Sequence, residues 1–293
     1  MAKDLDTQKA HLQFEAIGTA WTIDLDVSSQ RAASIAQLIA DRISQFDQHY
    51  SRFRSDSWVT HIGTNPGKHP VPDDFADLYD FYESMYQMTD GLVTPLIGDA
   101  MERAGYNANY DLRPKQLKKI PALSEVLEFS DNTLHVKYSC VLDFGAAGKG
   151  YLVDLIGQEL EKQGIQNYII DAGGDILHHS PTPTPVGLES PDDTQKVFGI
   201  VNLQGSSLCG SAGNKRKWGK YHHIMNPSTL QSQNSVKATW VIADTAMAAD
   251  GLATCLFFVP ASRLKGYNFE YLCVLEDNVI NVSKAFPGKA TNE

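Results

Sequence analysis

The chain has 293 residues, enough to bury a large core as one big domain or two closely packed lobes. Its 42% hydrophobic and 20% charged residues are ordinary for a soluble globular protein. The 25 basic and 35 acidic residues leave a formal charge of −10, which argues against non-specific nucleic-acid binding and requires a local basic patch or a metal to meet any anionic ligand. No run of 18 apolar residues occurs, so no membrane span is expected. The first sixteen residues, MAKDLDTQKAHLQFEA, lack the apolar stretch of a signal peptide. A cytoplasmic location is expected for the chain as given; an exported form trimmed of its leader would read the same. Cys140, Cys209, Cys255 and Cys273 form no CxxC pair and lie in apolar contexts, which points to reduced core thiols and not to zinc.

Residues 12–27 alternate as a strand or hairpin broken at Gly18, after a loose start over 1–11. Ser28 or Ser29 then caps an amphipathic helix through Phe46, with Ile35, Leu38, Ile39, Ile43 and Phe46 on one stripe. A basic, aromatic loop follows at 51–57, and a second helix is predicted over 73–89, stopping at Asp90-Gly91. Residues 123–144 hold three strand-like runs, VLEFS, TLHVKY and CVLDF. A helix over 149–163, a strand at 167–170 and the turn Ala172-Gly173-Gly174-Asp175 come next. The Pro- and Ser-rich stretch 180–193 reads as a mobile surface excursion. Strands are predicted at 197–203, 238–242 and 271–275, with a helix after Asp244 and a loose tail from 281. The order predicts an α+β fold, a single domain over 12–280 with no linker and no internal repeat.

Three segments carry chemistry. In DTAMAADGLATCLFFV, 244–259, Asp244 and Thr245 are capping candidates, and Asp250 and Thr254 stand four apart on one face of an otherwise apolar helix. A carboxylate there needs a partner, either a local cap or ion pair or a hard cation held by oxygen ligands, Mg²⁺ first. The segment LDFGAAGKGYLVDLI, 142–156, is a strand, a glycine-rich turn and a helix start, a geometry that offers free amides and Lys149 to phosphate, with Asp154 early in the helix. It is neither a Walker A loop, having Asp143 and Gly150 where that motif needs Gly and Ser or Thr, nor GxGxxG. Residues 206–227 gather Lys215, Arg216, Lys217 and Lys220 beside Trp218, Tyr221, His222 and His223, a set suited to a nucleotide or to a solvated basic hairpin. Ser51, Arg52 and Arg54 are further anion-contact candidates on a loop.

Read in order, AIGTAWTI (16–23), FDQHYSRFRSDS (46–57), TDGLVTPLIG (89–98), LDFGAAGKGYLVD (142–154), YIIDAGGDI (168–176), SAGNKRKW (211–218), YHHIMNP (221–227) and ADGLATCLF (249–257) resemble the ApbE-type flavin transferases, the FAD:protein FMN transferases. The resemblance implies a two-lobed mixed α/β domain with the ligand cleft between the lobes. It implies a Mg²⁺-dependent enzyme that splits FAD, moves FMN onto a Thr or Ser hydroxyl of an acceptor protein and releases AMP. Metal ligands implied are Asp250, Thr254 and the Gly148 carbonyl. FAD contacts implied are Ile17, Gly91, Leu92, Val93, Thr94, Lys149, Asp154 and His223. Asp250 and His223 are the catalytic candidates, with His223 as base or as positioning group.

Departures from the family pattern are Gly148 in place of a common alanine, Val93-Thr94-Pro95 in place of Phe-Asp-Pro, and Asn226-Pro227 in place of Asp-Pro. The family's familiar members are exported lipoproteins, another difference. Two alternatives share the motifs: an FAD pyrophosphatase that uses water as acceptor, and a non-catalytic flavin-binding protein.

Overall fold

The computed structural model describes residues 9–290. It opens with β1 (Lys9–Ala16) and β2 (Thr19–Asp26), then α1 (Ser29–Tyr50), α2 (Trp58–Thr64), β3 (Gly67–Pro70) and α3 (Phe75–Met88). Next come α4 (Gly98–Arg103), the short α5 (Leu123–Val126), β4 (Leu127–Ser130), β5 (Thr133–Val136) and α6 (Gly148–Lys162). β6 (Tyr168–Asp171), β7 (Asp175–His179), β8 (Thr184–Glu189), β9 (Val197–Leu203) and β10 (Ser207–Ala212) follow. Four two-residue strands, β11 (Lys217–Trp218), β12 (Tyr221–His222), β13 (Met225–Asn226) and β14 (Gln231–Ser232), lead to β15 (Val236–Ala243), α7 (Ala246–Cys255), β16 (Phe269–Leu275), β17 (Ile280–Val282) and β18 (Gly288–Ala290).

One eight-stranded sheet, ordered β1-β2-β6-β7-β10-β15-β16-β17, organises the chain, and all its neighbouring pairs run antiparallel. Side chains alternate across its faces, as the two-residue period of a strand requires. Cys209 and Val241 face a large helical core that includes α1, α3, α6 and α7, whereas Leu208 and Trp240 face a second core. That second core is closed by the small sheet β18-β9-β8 through Leu188, Val201 and Leu203. The mixed α/β class expected from the sequence is the class observed.

The first hairpin turns through Ile17 and Gly18, both at positive φ (43° and 78°), the pairing a two-residue type I′ turn needs. Glycine adopts that backbone without strain, but β-branched Ile17 does not. The tip is locked in place: a Cβ at Gly173 would lie 2.0 Å from Thr19 Oγ1, so the hairpin sits directly on the 172–175 turn.

Several boundaries differ from the sequence expectation. Residues 9–11, read as part of a loose N-terminus, belong to β1, and β17 and β18 occupy parts of the expected loose tail. The outermost residues, 1–8 and 291–293, lie outside the described residues. CVLDF forms no strand; the Asp143 amide bonds instead to the Pro95 carbonyl (2.8 Å), which ties this run to the 94–98 bend. The 180–193 stretch is not a free excursion, because its residues 184–189 form β8 and pair with β9. Proline there is tolerated at a sheet edge, where a missing N–H costs no ladder bond.

α6 and α7 cross in very close contact. A Cβ on Gly150 would stand 2.2 Å from the Ala246 carbonyl oxygen and 2.8 Å from Asp250 Cβ. A Cβ on Gly148 would meet nothing closer than 3.6 Å. Gly150→Ala should therefore destabilise the protein by about 1–3 kcal/mol or more through overpacking. Gly148→Ala should be neutral or stabilising by up to about 1 kcal/mol. Chemical denaturation of both variants checks the pair; equal midpoints would contradict the packing described.

Candidate active site

Thr245 caps α7, its Oγ1 accepting from the Ala248 amide at 3.2 Å. Asp154 of α6 adds a second cap: its two carboxylate oxygens accept from the Ala246 and Met247 amides, each at 2.8 Å. Farther along, Thr239 of β15 donates to the Ala253 carbonyl at 2.8 Å. α7 is thus tied at its start to α6 and along its length to the sheet, while Gly251 faces α3, where a Cβ would stand 2.4 Å from the Phe81 ring. The consequence is a fixed direction for Asp250 and Thr254, which project together as the four-residue spacing predicts.

Asp250 is buried and accepts from the Gly150 amide at 3.0 Å. Thr254 Oγ1 donates to the Ala146 carbonyl at 3.3 Å. The carbonyl brought to Thr254 is therefore that of Ala146, two residues before Gly148. Gly148 is the first residue of α6, where a carbonyl points along the helix toward the amide four residues on.

Behind Asp250 lie Lys149 and Asp175. The Lys149 ammonium pairs with the buried Asp175 carboxylate and donates to the Ala172 carbonyl at 3.0 Å. Burial works against the Lys149 charge, but Asp175 and Asp250 outweigh it and raise the Lys149 pKa. Burial and the nearby Asp175 push the Asp250 carboxyl well above its ordinary range, and Lys149 offsets this only in part. Two carboxylates share one ammonium here, so the second negative charge, on Asp250, is disfavoured in this desolvated place until a further cation is present. A divalent cation with oxygen ligands answers that charge. The available set is one carboxylate, one hydroxyl and one backbone carbonyl. Among the described residues, no group of three or more His, Cys, Asp or Glu is arranged to hold a metal ion. This donor set suits Mg²⁺, which keeps water and substrate oxygens in most of its octahedron.

On the other side of the same turn, Asp143 accepts from the Gly145 amide (2.7 Å) and from Arg52 Nε (2.5 Å). Burial alone would raise the Asp143 carboxyl, yet Arg52 and the Gly145 amide bring it below its usual value. Arg52 also donates to the Tyr106 carbonyl at 2.9 Å and lies over the Phe53 ring, 4.1 Å from its centroid. His223 is close enough to Arg216 and Asp143 to feel both charges. Burial, then Arg216, lowers its pKa to about 3, so its imidazole is neutral near neutral pH, and its shielded Nδ1 has no partner. Val93 and Thr94 are buried, with Thr94 capping the turn that holds Pro95. Gly91 follows Asp90 through two positive φ values. An open depression lined by Asp77, Asp80, Tyr151 and Asp154 lies elsewhere, between α3, α6 and the start of α7.

A family model described as the ApbE family matches residues 17–269. The chain belongs to the ApbE family. Among its relatives is the FAD:protein FMN transferase of Vibrio cholerae, 25% identical over 87% of this chain and 83% of the relative. The FAD:protein FMN transferase of Escherichia coli K12 is 22% identical over 90% and 82%. The ApbE protein of Thermotoga maritima superposes with a TM-score of 0.83 at 25% identity, covering 95% of this chain and 98% of that one. The flavin transferase ApbE of Vibrio cholerae gives 0.79 at 20% identity over 95% and 98%, a likeness of fold. No helix among the described residues is long and apolar enough to cross a membrane.

Of the residues expected to form the ApbE-type site, Asp250, Thr254 and Lys149 gather around the 145–150 turn, with Ile17 at the hairpin tip that rests on the adjoining 172–175 turn. The Asp154 carboxylate is spent on the α7 amides. No local sequence pattern assigns a role to Asp175, Asp143, Ala146 or Tyr82, all of which touch the turn or its lysine. Asp175 lies within the YIIDAGGDI run and Ala146 within LDFGAAGKGYLVD, but neither residue type marks its contact, and a backbone carbonyl leaves no sign on the side chain.

Burial pushes the Asp154 carboxyl up to about 6, more than its two amide bonds lower it. A carboxyl raised in the folded state binds its proton more tightly there than in the unfolded chain. Its contribution to stability is therefore complete below the unfolded value of 3.8 and is lost as pH rises through about 6. Asp154→Asn should remove a fall of about 2–3 kcal/mol in unfolding free energy between about pH 4 and about pH 6. Urea denaturation across that range measures it; parallel pH profiles for the two proteins would contradict the assignment.

Proposed function

We propose that the protein transfers FMN from FAD to a Thr or Ser hydroxyl of an acceptor protein and releases AMP, with Mg²⁺ as cofactor. The observation that carries this reading is the meeting of Asp250, Thr254 and the Ala146 carbonyl at the α6–α7 crossing, in a chain of the ApbE family. Those three groups would hold the cation; Ala146 replaces Gly148 as the carbonyl ligand because it is the one that meets Thr254. When bound, Mg²⁺ supplies positive charge for the pyrophosphate and for departing AMP.

The chain's own residues supply the rest. Lys149, held protonated by Asp175, adds a fixed cation beside the phosphates. Arg52 and Arg216 give the Asp143 side of the turn its positive character, so FAD would span the turn with its pyrophosphate toward Asp250. Ile17, Gly91, Leu92, Val93 and Thr94 would line the cofactor from the hairpin tip and the 89–98 bend. Asp154 acts one step back, by fixing the start of α7.

His223 is a weak base in the free protein, with its pKa near 3. A neutral imidazole with an unpartnered Nδ1 is suited to hold a polar group of FAD or of the acceptor hydroxyl. It becomes an effective base only if bound polyanionic FAD raises its pKa. Positioning is thus the role that the free geometry favours.

The test is incubation with FAD, Mg²⁺ and a candidate acceptor, followed by AMP assay and mass spectrometry of the acceptor. The expected result is an adduct of FMN less water on one Thr or Ser, with AMP release stimulated by acceptor. Asp250→Ala should lower both by at least about a hundredfold, since several kcal/mol of charge stabilisation is lost. Its fold should be retained by circular dichroism, because Thr245, Asp154 and Thr239 still tie α7 to α6 and to the sheet. Rapid FMN and AMP release without an adduct would move the assignment to FAD pyrophosphatase, and undiminished turnover in Asp250→Ala would remove the metal site.

A further inference from the structure

We infer that Tyr82 of α3 is a positioning residue that aims the Ala146 carbonyl at Thr254 and so shapes the cation site. The inference rests on the proposal that Ala146, Asp250 and Thr254 hold Mg²⁺.

Tyr82 is 1% exposed, and its ring packs edge-on against Phe144 with centroids 5.1 Å apart. Its hydroxyl oxygen accepts from the Ala146 amide at 3.0 Å and from the Ala147 amide at 3.3 Å. The Ala147 amide has a longer contact, 3.4 Å, with the Phe144 carbonyl. The 145–147 turn precedes α6 and lies outside any strand, so the phenol supplies an acceptor that regular structure does not.

Peptide geometry converts this contact into aim. The Ala146 carbonyl and the Ala147 amide belong to one planar trans peptide and point in opposite directions. Holding the Ala147 N–H toward α3 turns the Ala146 C=O away from α3, and on that side Thr254 of α7 donates to it. A peptide free to rotate would offer the cation a carbonyl only part of the time. A hydroxyl whose sole work was to complete the core would have no bearing on the cation.

Tyr82→Phe preserves the ring and removes only the acceptor, leaving buried amides short of a partner. Calorimetric titration with Mg²⁺ of the full-length wild type, Tyr82→Phe and Tyr79→Phe separates aim from packing. Tyr79 lies one turn earlier on α3 and packs on Phe129, away from the turn. Tyr82→Phe should bind Mg²⁺ about tenfold more weakly, a loss equal to one modest hydrogen-bond contribution. Tyr79→Phe should bind as the wild type does. Activity of Tyr82→Phe should recover toward wild type at saturating Mg²⁺, with the KM for FAD little changed.

Wild-type Mg²⁺ affinity in a folded Tyr82→Phe, or an equal loss in Tyr79→Phe, overturns the inference. Absence of Mg²⁺ binding in the wild type would overturn the metal reading itself and the inference with it. A measurement free of variants stands beside these: hydrogen exchange of the Ala146 amide in the metal-free wild type. Slowed exchange is expected; exchange at the rate of an open loop overturns the inference even if Tyr82→Phe does not fold.

Discussion

The bond from the Gly150 amide to the Asp250 carboxylate, at the point where α6 and α7 touch, sets the geometry of everything around it. It requires glycine at 150, because any side chain there would collide with the Ala246 carbonyl. It also requires α7 to start at a defined height, which Thr245 and Asp154 enforce through the first amides of that helix. The cost is a desolvated carboxylate beside a second one, Asp175, with one ammonium between them. Such an arrangement is unfavourable as a structural device alone, since an apolar pair of equal volume would pack as well or better. The proposed cation would offset that cost.

The 143–150 turn is held from several directions. Arg52 grips Asp143, Asp143 grips the Gly145 amide, Tyr82 takes the next two amides, and Asp250 takes that of Gly150. Each partner comes from a different part of the chain: the loop after α1, α3 and α7. The turn is therefore a common anchor for the helical layer, and it would form the floor of the reacting centre in an FAD complex of the kind proposed. Rigidity of this sort is what a transferase needs, because groups held in place before the reaction need not be ordered during it.

Much of this was legible in the sequence, and the reasons differ by element. The 12–27 hairpin, the long first helix and the helix after Asp244 carry strong periodicity and end signals, so they appear within a few residues of expectation. Asp250 and Thr254 were legible because helical spacing alone puts them on one face. Asp175 was not, because its partner Lys149 is supplied by another element across the fold and no local pattern links them. The Arg52–Asp143 pair spans 91 residues and escapes local reading for the same reason. That the carbonyl meeting Thr254 is Ala146 and not Gly148 depends on where α6 begins, a boundary that residue types mark poorly. The 180–193 segment misled through its prolines: composition pointed to a loop, while the edge position of β8 permits them in a strand.

The central claim is a cation held by Ala146, Asp250 and Thr254. A crystal grown with FAD and Mn²⁺, measured at a wavelength where manganese scatters anomalously, tests it most directly. The account expects one strong anomalous peak within coordination distance of the Ala146 carbonyl, an Asp250 carboxylate oxygen and Thr254 Oγ1, shared with the FAD pyrophosphate. A peak confined to the acidic depression lined by Asp77, Asp80 and Asp154, or an FAD-bound site with no peak at the α6–α7 crossing, would contradict it.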